Sequence, residues 1–526
     1  MKLNYKRVIF VGFAFFLISA FWQAYDTIVP KILTDKFGLP QAWSGAIMAL
    51  DNIFALVLLP IFGAISDKVN SKHGRRTPFI VIGAVVAAIL LVTLSVPDAM
   101  QRTQLEKVTA TEGEAYTEAL ETIWDANPTV QDWTTEDVID DKKPLQELIS
   151  REDFTAIPVT VEENGKQVTS EKYTNIVVPA RQSYAAIVTE NDPTALIIFM
   201  ALLLFTLVAM GTFRSPAVAL MPDVTIKPLR SKANAVINLM GTAGGILVLL
   251  LGTVFGTGKT ANALMSYTVF FSVVAGIMMI ALAVFLWRVR EVKWAAEMQE
   301  ETARLGLLEG DGSEEEKASG ERKLSRGELI SLFLILGSVV LWFMGYNAVT
   351  SKYSVYAGTV LDKDYNTTLL IANAAAIVAY LPVGFLSSKL GRKKMILAGV
   401  LILFTAFLSA SFMTSSSPLM VMNILFAMAG IGWATINVNS YPMVVELSRG
   451  SNVGKYTGFY YTASMSAQVL TPVLSGFLMD RFGMDKIFFP YAALFVALAF
   501  VTMLFVRHGD AKPEAKKGLE ALDVDD

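Results

Sequence analysis

Apolar residues run along this chain in blocks of about twenty, the length a helix needs to cross a bilayer core. They fall at roughly 8–33, 42–66, 77–97, 194–220, 232–256, 264–287, 328–350, 366–388, 395–414, 418–441, 455–479 and 487–506. About twelve spanning helices are therefore predicted, and the chain is expected to be an all-α membrane protein. Basic residues cluster on alternate connections, beginning with Lys2, Lys6 and Arg7 and returning at Lys68, Lys72, Arg75 and Arg76. Further clusters follow at Lys227, Arg230 and Lys232, at Arg288, Arg290 and Lys293, at Lys389 to Lys394, and at Arg507 to Lys517. Lys and Arg mark cytoplasmic loops, so both termini are expected in the cytoplasm and the cell membrane is the expected location.

Two connections are long. Residues 98–193 hold about 20 acidic and 8 basic residues and fall on the external side. Asn164-Gly165 between β-prone flanks is a hairpin signal, and TEALETIWDAN has a helical pattern. The insertion is read either as a small α+β subdomain or as an acidic loop. Residues 288–327, rich in Glu, Lys and Gly, read as a partly helical, solvated linker between two halves. The resulting division is 1–97, the insertion 98–193, 194–287, the linker 288–327, the second half 328–506 and a tail 507–526.

Composition narrows the function classes. The chain is 53% hydrophobic and 17% charged, against about 25% charged in soluble proteins. It has no cysteine, which excludes disulfides, thiol catalysis and thiolate metal sites. The two histidines, His73 and His508, lie among charged or polar neighbours, so no metal site and no cofactor are expected. A net charge of −3 gives no reason to expect nucleic acid. The first apolar block is longer than a leader's core and reads as a span.

The halves resemble each other. PIFGAISDKVNSKHGRRTPF follows the second block and PVGFLSSKLGRKKMIL follows the eighth. Setting Gly63 opposite Gly384 places Asp67 opposite Ser388, Gly74 opposite Gly391, Arg75-Arg76 opposite Arg392-Lys393, and Asn52 opposite Asn373. Later, Pro-then-acid (Asp223 or Glu446) precedes a basic loop and a Gly-rich helix in both copies. Such a repeat implies a substrate site between two pseudo-symmetric six-helix halves.

Gly-x-x-x-Asp followed by Gly-Arg-Lys/Arg resembles the cytoplasmic signature of the major facilitator superfamily, and the likeness extends over all twelve blocks. SDKVNSKHGRRTPFI, with Arg214-Ser-Pro-Ala-Val-Ala-Leu-Met-Pro-Asp223, resembles the sucrose/proton symporters. Pro60-Ile-Phe-Gly63 resembles the glycoside-pentoside-hexuronide cation symporters. The resemblance implies a cytoplasmic gate built from Gly63, Asp67, Arg75, Arg76, Arg214, Asp223, Arg230, Gly384, Gly391, Arg392 and Glu446, with acid–Arg pairs bridging the halves.

Within the apolar blocks, two carboxylates stand out, because an intramembrane acid is costly unless paired, protonated or hydrated. Asp26 lies about 28 Å beyond Arg7 and Asp51 about 13 Å into the second span. The two reach comparable depth and are candidate ion-coupling groups. Paired, they suit a shared proton; with Asn52 they also suit Na⁺. Ala24-Tyr-Asp26-Thr-Ile-Val resembles the first span of proton-coupled sugar porters, which implies that Asp26 is the proton site. That family pairs the acid with a mid-depth Arg in span four; here Arg214 is placed near the cytoplasmic end, leaving Asp26 without a cation. Sugars need hydroxyl partners and aromatic faces, for which Trp22, Gln23, Asn52, Asn373, Trp433 and Asn437 are the candidates.

The expected function is a secondary transporter importing a sugar or glycoside with a cation, H⁺ or Na⁺, acting as a monomer in the bilayer. Efflux of drugs or metabolites is the alternative. An enzyme is not expected: no nucleotide-binding loop occurs, and Gly256-Thr-Gly-Lys259-Thr260 has the wrong spacing for one.

Overall fold

The computed structural model describes residues 3–132, 142–163, 166–226, 229–304, 324–447 and 453–509. The first half contains α1 (Tyr5–Lys31), prolonged by a π-helical turn (Ile32–Lys36), then α2 (Gln41–Lys68) and α3 (Thr77–Thr93) with its continuation α4 (Ser95–Gln104). After the insertion come α9 (Thr194–Asp223), α10 (Arg230–Phe255) and α11 (Thr268–Arg288), followed by α12 (Glu291–Arg304). The second half is α13 (Arg326–Thr359), α14 (Tyr365–Leu390), α15 (Arg392–Ala410), α16 (Leu419–Glu446), α17 (Val453–Phe482) and α18 (Met484–Leu504). Among the described residues, ten helices are long and apolar enough to cross a membrane. Two further helices of spanning length, α14 and α17, complete six in each half.

Each half has its own apolar core. One runs from Val8 to Trp294 and the other from Leu332 to Val506. The insertion has a third, in which Leu105, Leu120, Ile123, Leu145, Phe154 and Tyr173 are fully or nearly fully buried. Around it lie α5 (Gly113–Ala126), α6 (Leu145–Leu148), α7 (Arg151–Thr155), α8 (Val178–Asn191) and two antiparallel hairpins, β1–β2 (Thr129–Gln131 with Lys142–Pro144) and β3–β4 (Thr160–Glu163 with Lys166–Thr169). Asn164-Gly165 lie outside the described residues, between β3 and β4. Helix α5 ends where Asn127 takes the left-handed conformation, φ +46°, a common helix stop.

Several helices outrun their apolar blocks. The block predicted at 328–350 becomes α13, which continues to Thr359 because Tyr353, Tyr356 and Ala357 bury against the second core; Tyr356 stacks on Phe488 at 4.2 Å. The predicted solvated linker begins as a docked helix. Glu291 and Trp294 of α12 are buried, and Arg7 of α1 pairs with Glu297 at 2.6 Å while lying over the Trp294 ring.

The bundle has two ends. One carries the insertion; the other carries α12 and both ends of the described chain. The halves meet at the insertion end. Thr257 bonds Tyr365 at 2.8 Å, Thr260 donates to the Gly358 carbonyl at 2.8 Å, and Asp480 accepts from the Gln41 and Ala42 amides at 2.7 Å each. A Cβ at Gly45 of α2 would collide with the Pro472 carbonyl of α17, and one at Gly476 with the Gln41 carbonyl. Toward the opposite end α2 loses this cover: its buried residues are Ser44, Gly45, Ile47, Met48 and Ala49, then only Ala55 and Ser66.

Candidate functional site

Helix α1 carries Phe21, Trp22 and Tyr25 as one aromatic group. The Trp22 ring stands edge-on to Tyr25 at 5.3 Å and to Phe21 at the same distance. Tyr25 is buried and Trp22 half-buried, yet among the described residues Trp22 Nε1 and the Tyr25 hydroxyl have no hydrogen-bond partner. Buried donors without partners cost about 1–3 kcal/mol each. One residue on, Asp26 interacts electrostatically with Asp51 of α2, and both interact with Arg214 of α9. Asn52 orients Asp51: its backbone and side-chain amides both donate to Asp51 Oδ1 at 2.6 Å.

Arg214 thus lies within electrostatic reach of both carboxylates, deeper than its block position predicts. Its guanidinium lies 5.7 Å from the Trp22 ring centroid. Helix α9 runs on to Asp223, so the Arg214 backbone is about 13 Å from the helix end. The long side chain extends its reach further, and Asp26 has the cation that block positions alone denied it. Gln23 turns elsewhere, its amide packing beside Gly245 of α10.

The second half presents uncharged counterparts. The register that pairs Gly63 with Gly384 also sets FWQAYDTIVPK (21–31) opposite WFMGYNAVTSK (342–352). Tyr346 replaces Tyr25 and Asn347 replaces Asp26. Tyr346 stacks on Trp433 of α16 with parallel rings 3.6 Å apart, and Phe343 meets the same indole edge-on at 5.1 Å. Asn347 Nδ2 is buried with no hydrogen-bond partner among the described residues. Asn437, one turn beyond Trp433, and Asn373 on α14 are half-buried.

At the end opposite the insertion, the charged clusters lie inside the halves. Arg75 grips Asp223 through Nε at 3.1 Å and Nη2 at 2.7 Å, and Arg76 reaches the same carboxylate at 2.8 Å as well as Asp67 and Ser66. In the second half Arg392 pairs with Glu446 at 2.6 Å. None of these pairs bridges the halves as expected, because the α2 face that would carry the bridge is uncovered at this end. The Arg230 and Ser388 side chains lie outside the described residues. Gly63 faces Ser215 of α9, and Gly384 is buried in α14. Gly74 and Gly391 hold φ of +107° and +91°, which side chains other than glycine rarely adopt.

Glu291, which block reading left in a solvated linker, caps α3 from α12. It accepts from the Arg75, Arg76 and Thr77 amides and the Thr77 hydroxyl, at 2.7–2.8 Å. Buried lysines were also missed: Lys31, Lys36 and Lys352 are at most 1% exposed. The repeated Lys31/Lys352 position was the available signal.

The profile of the Major Facilitator Superfamily matches residues 183–438 and 365–524, and that of the "MFS/sugar transport protein" family matches 10–110. Over 59 residues the chain is 39% identical to the sucrose transport protein SUC4 of Arabidopsis thaliana, which is 11% of this chain and 12% of that protein. Over 78 residues it is 31% identical to YagG of Escherichia coli (strain K12), described as a glycoside/cation symporter, covering 15% of this chain and 17% of that one. The matched stretches are thus a small part of these relatives. The structure of the xylose transporter XylE from E. coli in an inward open conformation superposes with a TM-score of 0.56 at 13% identity, covering 99% of both chains. Fold and profiles define an all-α, multi-pass membrane protein. The chain belongs to the Major Facilitator Superfamily.

Proposed function

We propose that the protein is a secondary active transporter that imports a sugar or glycoside together with protons, by alternating access. The carrying observation is the cluster of Asp26, Asp51 and Arg214 beside the unpartnered Trp22 Nε1. Two carboxylates facing one guanidinium carry a net charge of −1. One proton neutralises the cluster, and losing it restores the charge. That is the least a proton-coupled carrier needs. Na⁺ fits less well, because Asp51 Oδ1 already accepts two N–H groups from Asn52 and Arg214 repels a second cation.

The substrate would sit between Trp22 and Asn52 of the first half and Asn347, Asn373, Trp433 and Asn437 of the second. An uncharged sugar suits a site whose second wall is aromatic and amide. The sugar and glycoside names of the matched proteins point the same way. We assign the end with α12 and the basic clusters to the cytoplasm of a cell-membrane protein acting as a monomer. This conformation then faces inward, like the neighbour described as inward open.

The test is uptake into liposomes of labelled mono- and disaccharides under an imposed pH or Na⁺ gradient. Accumulation driven by external acid and indifferent to Na⁺ is expected. Accumulation indifferent to pH overturns proton coupling, and export of lipophilic cations would select the efflux reading.

A further inference from the structure

The repeat ends on Lys31 and Lys352, each about 7 Å beyond Asp26 or Asn347 toward the insertion end. Both side chains are buried, at 1% and 0% exposure. A buried ammonium costs several kcal/mol unless it is paired, so its partners reveal what it is for. Lys352 Nζ donates to the Gln41 carbonyl of α2 at 2.9 Å and interacts electrostatically with Asp480 of α17. Asp480 in turn accepts from the Gln41 and Ala42 amides at 2.7 Å each. Lys352 and Asp480 belong to the second half, and Gln41 and Ala42 to the first.

The arrangement is a helix cap supplied from the other half. A helix start leaves amide groups without partners and carries partial positive charge that favours a carboxylate. The N-cap position of α2 is Pro40, whose side chain offers no cap, and Asp480 takes that role. Lys352 balances the Asp480 charge and holds the neighbouring carbonyl. Glycines at 45 and 476 let α2 and α17 touch beside it. On the first half, Lys31 lies 3.4 Å from Asp35 and faces Gly358 of α13, while Asp35 also accepts from Gln182 of the insertion at 2.8 Å.

We infer that Lys352 and Asp480 form the clasp that closes the insertion end, by capping α2 across the seam between the halves. Lys31 is its repeat-related counterpart against α13. Opening this end strips α2 of its cap and takes Lys352 off the Gln41 carbonyl. The inference rests on the alternating-access reading and not on the identity of the substrate.

The chain has no cysteine, so two introduced thiols are its only labels. Lys259→Cys and Ser416→Cys lie on exposed loops of opposite halves at the insertion end. Spin labels there, on the full chain in detergent or liposomes, report the separation by pulsed electron spectroscopy. The native protein without substrate should show mainly the short distance. Lys352→Met should lower the short-to-long ratio by about tenfold or more. Lys352→Arg, which still donates to Gln41, should keep the ratio within about threefold of native. Asp480→Asn, a second route should Lys352→Met not fold, should lower the ratio less, because its amide oxygen still accepts one bond. Distributions unchanged in both Lys352→Met and Asp480→Asn, while acid or sugar still shifts the native one, overturn the clasp. If nothing shifts any of them, alternating access falls with it.

Discussion

Helices α1 and α13 are two versions of one element, and their differences are concentrated where chemistry is needed. Both carry a pair of aromatics, then Tyr25 or Tyr346, then a buried lysine. Between these, the first half has Asp26, facing Asp51 and Arg214, and the second has Asn347 beside the stacked Tyr346 and Trp433. Duplication supplied the scaffold twice while charge was kept on one side only. Under the proposed function, the ion would be bound largely by one half and the substrate site shaped largely by the other.

Substitutions that erase the asymmetry test it. Asp26→Asn makes α1 resemble α13, and should lower gradient-driven accumulation by about 100-fold or more while sugar exchange across the membrane survives. Loss of exchange as well, in a protein that still folds, would place Asp26 in substrate binding instead. Arg214→Gln leaves two carboxylates without their cation, and active uptake should fall about 30-fold. Uptake near the native level would return Arg214 to a gate role. Trp433→Ala acts on the uncharged wall: KM for the sugar should rise about tenfold, which is 1.4 kcal/mol, with kcat within about twofold. A kcat loss with KM unchanged would remove Trp433 from the binding site.

Much of this was legible in the sequence because bilayer crossing imposes a strict length and polarity on each helix. The twelve long helices and the repeat register come from that constraint. Asp26 and Asp51 announced themselves as carboxylates in apolar blocks. The reach of Arg214 toward Asp26 was not legible, because a block boundary fixes where apolarity stops and not where the helix stops. Helix α9 continued past its block, and a long side chain then covered the remaining depth. Glu291 was invisible for another reason. Its role depends on α12 folding back on the α2–α3 loop, and a Glu in a charged linker carries no periodic signal of that docking. The partners of the gate pairs were equally hidden, since the sequence offers Arg76 and Arg392 acids in either half.

The smallest expected effect on transport concerns the equivalent helix starts α3 and α15. Gly74 and Gly391 precede them, both at positive φ. Helix α3 receives Glu291 on three backbone amides and one hydroxyl, whereas among the described residues no side-chain hydrogen bond caps α15, which opens with Arg392 bound to Glu446. Glu291→Ala makes the first half resemble the second at this point. The lost bonds are charge-assisted and buried, but water reaches the loop on its exposed side and the α3 start gains no other partner. The expected cost is about 2 kcal/mol of stability, read as a melting temperature lower by a few degrees in a thermal-shift assay, with initial uptake rates within about twofold of native. Glu291→Gln, which keeps an acceptor oxygen without the charge, should recover about half of that loss. A melting temperature unchanged in Glu291→Ala would mean that α12 rests on the bundle without holding it, and that the two halves begin these helices equally well.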